Sequence, residues 1–265
     1  MPTRIKSDLP HPLMGIWPHP DDEAYLSAGL MARMADAGRR VTVLTLTRGE
    51  KGTSDPADFD QPHFAARREH ELRASLAELG VDDVRVLDYR DGECDLADHE
   101  AAIGRITEEI DALRPDVMIT FGPDGITGHR DHRIVSAWVT EAWRRVGHGE
   151  LLYATMTDEF VSRHAGLHER IGLFTERADD GPASYPTDQI ALTCALSDGA
   201  LDRKRRALDQ HASQTRPLAA LMGDDTYRTW WRTEWFRRPT PAEAATCVLC
   251  PPGAVASRDV DDEAA

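Results

Sequence analysis

Two short stretches concentrate the side chains able to do chemistry. Pro18-His19-Pro20-Asp21-Asp22-Glu23 offers one imidazole and three carboxylates within five residues. Gly122 to His132 adds Asp124, His129, Asp131 and His132. Two histidines and one carboxylate are a common protein shell for a catalytic zinc, leaving a position open for water. Mixed imidazole and carboxylate donors suit zinc or another first-row divalent ion. Zinc lowers the pKa of its water from 15.7 to about 7, producing a nucleophile at neutral pH. A spare carboxylate could take the proton, and a spare imidazole could stabilise or protonate what leaves. Hydrolysis of an amide or ester fits that inventory.

The elements around these stretches explain how they could meet. An apolar run (Leu13, Met14, Ile16, Trp17) precedes the first, and Ala24 to Ala32 after it reads as a helix ending near Gly38. Arg40–Thr47 is a β-branched strand, so strand, helix and strand form a parallel, right-handed crossover. The Gly-, Asp-, Ser- and Pro-rich segment from Arg48 to His63 reads as a long loop at the same sheet edge. A helix over Ala65–Gly80, a strand over Val84–Tyr89, a helix over His99–Leu113 and a buried strand over Asp116–Phe121 follow. The second stretch therefore leaves a strand at the edge where the first does. A helix over Arg133–Val146 and a strand over Leu151–Met156 complete the regular alternation. The expected fold is a Rossmann-like, doubly wound, mostly parallel α/β sheet with helices on both faces.

Beyond Thr157 the pattern weakens. A short helix near Glu159–Arg170, a strand at Gln189–Leu196 and a helix at Leu201–Ala212 are expected, with the Trp-rich segment Tyr227–Phe236 packing back on the core. Residues 1–238 read as one domain with a C-terminal extension, and 239–265 as a Pro-rich, acidic, loosely ordered tail.

The 265 residues carry a formal net charge of −15, which argues against nucleic acid or an anionic membrane as partner. No apolar run could span a bilayer, and the first residues lack the apolar core of a signal peptide, so a cytoplasmic protein is expected. The expected partner is a small molecule, with a homo-oligomer left open. Cys247 and Cys250 have the spacing of a redox or zinc pair, but no second pair accompanies them, and incidental thiols are the expectation.

Pro-His-Pro-Asp-Asp-Glu after a strand, with Gly-His-Arg-Asp-His downstream, resembles the PIG-L/LmbE family of zinc-dependent N-deacetylases. Thr47–Gly52, Arg68–Leu72, Tyr89–Gly92 and Lys204 through Gln214 agree as well. The resemblance implies His19, Asp22 and His132 as ligands of a Zn2+ ion. It implies Asp21 as general base, and His129 as the group that stabilises the oxyanion or protonates the leaving amine, with Asp131 orienting it. Arg68, Asp91, Glu50 and His211 are implied as substrate-binding positions. The expected activity is removal of an N-acyl group, acetyl foremost, from an amino sugar or its conjugate. The alternative is an amidase acting on a thiol–pseudodisaccharide conjugate or an acylated glycopeptide sugar. Two positions depart from the family pattern: Pro18 stands for Ala and Arg130 for Pro. Neither removes a ligand, but Arg130 bears on the geometry of the second loop.

Plainer roles compete for these residues. Asp21 and Asp22 could cap the following helix, Glu23 could be a cap or a partner of a ligand, and Arg68 could pair with Glu71 one helical turn away. His211 could edge the site or end a helix. Trp230, Trp231 and Trp235 fit core packing better than a sugar platform. A nucleotide- or sugar-binding protein without catalysis is the reading from another class. Against it, Pro18-His19-Pro20 stands where a glycine-rich phosphate turn would be.

Overall fold

The computed structural model describes residues 12–245 except 54, 173 and 175–181. Strand β1 (Leu13–Trp17) is buried along its whole length, as a central parallel strand must be, and alternates its side chains between two cores. Leu13 and Trp17 face one, Met14 and Ile16 the other. Around it lie β2 (Val41–Thr47), β3 (Asp83–Tyr89), β4 (Val117–Phe121), β5 (Glu150–Thr155), β6 (Leu192–Ala195) and β7 (Thr233–Arg237), in the order β3-β2-β1-β4-β5-β7-β6. The first five are parallel, and β7 is antiparallel to both β5 and β6. The chain order reverses between β1 and β4, and at such a switch point crossovers leave in opposite directions and open a crevice at the strands' carboxyl ends.

Helices α1 (Asp22–Asp36) and α2 (Pro62–Leu79) pack on one face, with Leu72, Leu76 and Leu79 buried as their spacing predicts. On the other face lie α3 (His99–Leu113) and α4 (Arg130–Val146), around Ile103, Ile106, Trp138 and Val139. Helix α4 starts three residues earlier than its apolar period indicates, because the His129 imidazole accepts a hydrogen bond from Asp131 N and caps it. The helix expected near Glu159–Arg170 is two short ones, α5 (Asp158–Arg163) and α6 (Ala165–Ile171), broken at His164.

The C-terminal third follows as α7 (Asp198–Gln210), α8 (Ala212–Met222), α9 (Asp224–Trp230) and α10 (Pro241–Ala245). The Trp-rich segment does return to the core, and it contributes a strand: Glu234 and Phe236 turn inward on β7. Glu243 of α10 is paired with buried Arg237, so the first part of the expected tail is tied down at residues 241–245. The remainder, including Cys247 and Cys250, lies outside the described residues, as does the chain start. No helix among the described residues is long and apolar enough to cross a membrane.

An ion pair welds this third to α1. Lys204 Nζ donates to Glu234 Oε1 at 2.8 Å, both side chains being about 1% exposed. Glu234 also accepts from Gly29 N and Leu30 N in the middle of α1, and Lys204 donates to Tyr25 O, four residues before Gly29. The pair thus serves a donor and an acceptor of the helix itself. A Cβ on Gly29 would stand 2.1 Å from Leu196 Cδ2, so any larger residue there would force the Leu196 side chain to move. Removing one member of a buried pair strands the other's charge at a cost of about 3–5 kcal/mol. Lys204→Met should therefore lower stability by about that amount in urea titration, more than Arg228→Met at the exposed Arg228–Asp202 pair, worth roughly 0–1 kcal/mol.

His168 offers a pH test. Burial pushes its pKa down to about 4, and its Nε2 accepts from Trp230 Nε1 at 3.2 Å. An unfolded histidine titrates near 6.5, so between about pH 6.5 and 4 the unfolded chain binds the extra proton. The contribution of His168 to stability is intact above that window and is lost as pH falls through it. The Tm of the wild type should drop more between pH 7 and 4 than that of His168→Gln.

Candidate active site

The two loops emerge side by side at the switch point. His19 and Asp22 come from the β1–α1 turn, and His129, Asp131 and His132 from the first turn of α4 and the residue capping it. Asp22 sits between two imidazoles: Oδ2 lies 3.5 Å from His19 Nδ1, and Oδ1 lies 3.6 Å from His132 Nε2. Both gaps exceed a good hydrogen bond. They approach the edge of a tetrahedron around a zinc ion, about 3.3–3.4 Å for Zn–N and Zn–O bonds near 2.0–2.1 Å. The donor set fits a divalent cation.

Neighbours fix which ring nitrogens face the gap. His132 Nδ1 lies 3.0 Å from Gly125 O and so carries the proton, leaving the Nε2 lone pair toward Asp22. Burial, opposed by Asp22, depresses the pKa of His132 to about 4 and keeps the ring neutral, as a ligand requires. The ring also stacks on Phe121, with centroids 4.0 Å apart. At His19, Nε2 lies 3.1 Å from Asp91 Oδ1 and 3.2 Å from Asp131 Oδ2, which directs Nδ1 at Asp22. Burial alone would lower the pKa of His19, but Asp131, Asp22 and Asp91 together hold it well above the usual value. Three buried carboxylates around one imidazole make a strongly negative cavity.

Asp131 and Asp91 are themselves held. Asp131 accepts from Gly92 N and Cys94 N, and Asp91 accepts from Lys51 N. Among the described contacts, the Asp131 carboxylate addresses His19; it is the backbone N–H of Asp131 that orients His129, by donating to Nδ1 at 3.2 Å. That bond leaves Nε2 of His129 as the nitrogen able to donate.

Asp21 has backbone angles φ 113°, ψ −30°, a region that L-residues rarely enter. Its side chain caps nothing. Instead Asp21 N donates to Glu23 Oε2 at 2.9 Å, and Arg68 donates to Pro20 O and Gly49 O while lying 3.3 Å from Asp21 Oδ2. Burial, aided by Asp22 and opposed by Arg68, raises the Asp21 carboxyl to about 7. A divalent cation alongside would pull it down.

The remaining expected positions surround this core. Glu23 is buried and its Oε1 lies 2.8 Å from Nε2 of His211, which is itself buried at the α7–α8 junction; His211 thus both ends a helix and backs the loop. Arg68 does not pair with Glu71, which binds Arg67 and Ser213. Glu50 accepts from Asp91 N through Oε1, and its buried Oε2 has no hydrogen-bond partner among the described residues. Arg130, the family departure, turns outward to Asp95. Tyr185 is a position that sequence reasoning missed: it donates to Asp124, which accepts from Ile126 N and so shapes the loop that ends in His132. It stands outside any motif, in a weakly patterned stretch.

A mostly parallel sheet whose switch point gathers His19, His129 and His132, and His19 with Asp91 and Asp131, into groups able to hold a metal ion is the framework of a metal-dependent hydrolase. Residues 14–143 match the family model described as PIG-L: GlcNAc-PI de-N-acetylase. The chain is 33% identical over 251 residues to the 1D-myo-inositol 2-acetamido-2-deoxy-alpha-D-glucopyranoside deacetylase of Kineococcus radiotolerans, covering 78% of this chain and 70% of that protein. The deacetylase of the same name from Corynebacterium glutamicum is 29% identical, covering 89% and 90%. Among solved structures, the N,N'-diacetylchitobiose deacetylase of Pyrococcus horikoshii superposes with a TM-score of 0.57 at 22% identity, covering 85% of this chain and 82% of its own. A conserved protein from Thermus thermophilus gives 0.60 at 23%, covering 92% and 99%. These two likenesses concern the fold. The chain belongs to the PIG-L family of N-deacetylases, as its motifs implied. It is an enzyme acting on an amide C–N bond of an acylated amino sugar.

The backbone at Asp21 can be tested apart from activity. Residues held in such a region cost of order 1–3 kcal/mol, and glycine escapes most of that. Asp21→Gly should be more stable than Asp21→Ala by about 1 kcal/mol or more in urea unfolding, reversing the usual order of these two residues.

Proposed function

We propose that the chain is a zinc-dependent N-deacetylase in which His19, Asp22 and His132 hold the ion. The observation that carries this is the placement of Asp22 between the two imidazoles, at 3.5 and 3.6 Å, with each ring's far nitrogen engaged elsewhere. When bound, the zinc ion supplies a water of lowered pKa and polarises the amide carbonyl.

Asp21 receives the proton of the attacking water. Arg68 faces that carboxylate, and Glu23 fixes the residue by accepting the Asp21 backbone N–H. His129 donates from Nε2, first to the oxygen that gains charge and then to the nitrogen that leaves, its tautomer set by Asp131 N. Asp131 and Asp91 serve together as the brace behind His19. On the polar side, Glu50 offers a free carboxylate oxygen to a sugar hydroxyl; Arg68, Asp91 and His211 act by positioning the residues that touch substrate.

The curated relatives support a 2-acetamido-2-deoxy-glucopyranoside carrying a polar aglycone as the substrate. Acetate release from N-acetylglucosamine and its cyclitol glycoside, with and without a chelator, tests the reading. Activity should vanish with chelation and return with Zn2+. Asp21→Asn should reduce kcat about 10²- to 10⁴-fold with zinc content unchanged. Chelator-resistant turnover would remove the metal from the mechanism.

A further inference from the structure

We infer that the site takes acyl groups longer than acetyl, in an apolar chamber on the β5–β7 side of the metal cluster. The inference rests on the deacetylase reading above and concerns which acyl group the site prefers. Sheet order divides the surroundings of the cluster. The loops after β2 and β3 bring Glu50, Lys51 and Asp91 to one side, where Arg68 of α2 also reaches. On the other side is a cavity of about 110 Å³, with Asp22 and His132 in its wall, so it opens directly on the candidate ligands.

Much of its remaining wall is apolar, with Tyr25 and Leu26 of α1, Phe160 of α5, Leu218 of α8, Trp231 after α9 and Trp235 of β7 among the residues that form it. Glu234, the other carboxylate there, is consumed by Lys204 and by the α1 N–H groups. The chamber therefore offers little to a hydroxylated ring and much to a hydrocarbon. Tyr25, Leu26, Trp231 and Trp235 are only half-buried, so a chain lodged there would cover apolar surface that the fold leaves uncovered.

An amide at the ion has two ends. The amine end carries the sugar hydroxyls and matches the polar side, which leaves the acyl end for the chamber. A water needs about 10–15 Å³ of such space, so the cavity holds on the order of eight water-sized groups. An acetyl methyl fills one of them; a hexanoyl chain or a benzoyl ring fills most. The reaction is unchanged: water adds to the carbonyl carbon, the C–N bond breaks, and a carboxylate and the free amine leave.

The experiment compares N-acetyl-, N-butanoyl-, N-hexanoyl- and N-benzoylglucosamine with the zinc-loaded full chain. Each buried methylene is worth up to about fourfold, so kcat/KM for hexanoyl should exceed that for acetyl at least tenfold. Leu218→Trp, which fills the chamber, should lower the hexanoyl value at least tenfold more than the acetyl value. Leu26→Phe provides the same readout if that variant does not fold. An acetyl preference at equal amine, with both substrates losing equally in the filled variants, overturns the chamber and leaves the deacetylase intact. Failure of every substrate to turn over counts against the deacetylase reading. The chamber is then judged by tryptophan emission, which N-hexanoylglucosamine should quench at lower concentration than N-acetylglucosamine; equal or weaker binding overturns it.

Discussion

The site depends on holding one aspartate in a conformation its own backbone resists. Asp21, at φ 113°, is the hinge between β1 and α1, and relaxing it would swing both its carboxylate and Asp22. Three constraints oppose that relaxation. Pro18 and Pro20 limit the approach. Arg68, reaching over from α2, binds Pro20 O and faces the Asp21 carboxylate. Glu23 accepts the Asp21 N–H and is fixed in turn by His211 at the α7–α8 junction. Residues far apart in the chain thus converge on one peptide unit, and strain of this kind persists only where the surroundings over-determine it.

The second loop repeats the logic with weaker means. Ile126, a β-branched residue, also takes a positive φ, with its N–H held by Asp124. Gly125 presents its carbonyl to His132 from within the same turn. His19 and His132 each have one ring nitrogen toward Asp22 and the other engaged by a rigid neighbour, so little reorganisation of the rings is required when a cation binds.

Much of this was legible in the sequence. The apolar runs and their periods placed β1 through β5 and α1 through α4, because a parallel sheet buried on both faces writes itself as continuous hydrophobic strands between amphipathic helices. The two motifs placed the cluster because each followed such a strand. What was not legible is long-range. Nothing local indicates that Glu234, on a strand inserted between β5 and β6, reaches the middle of α1, or that Asp91 stands behind His19. The tryptophans read as packing, and Trp230 is buried; that Trp231 and Trp235 line a chamber follows from the antiparallel return of β7, which no short-range signal announces. The start of α4 was misjudged for a local reason: a histidine serves as its cap, where a hydroxyl or carboxylate is usual.

The Lys204–Glu234 pair carries a lesson about modularity. Residues 14–143, the span shared with the family model, contain the candidate ligands His19, Asp22 and His132. They do not contain the carboxylate that receives the Gly29 and Leu30 N–H groups, nor the histidine that backs Glu23. The catalytic half is therefore not a portable cassette. Grafted alone onto another sheet, its first helix would arrive with open seams, and any recombination within this lineage must exchange the distal segment together with the motif it supports.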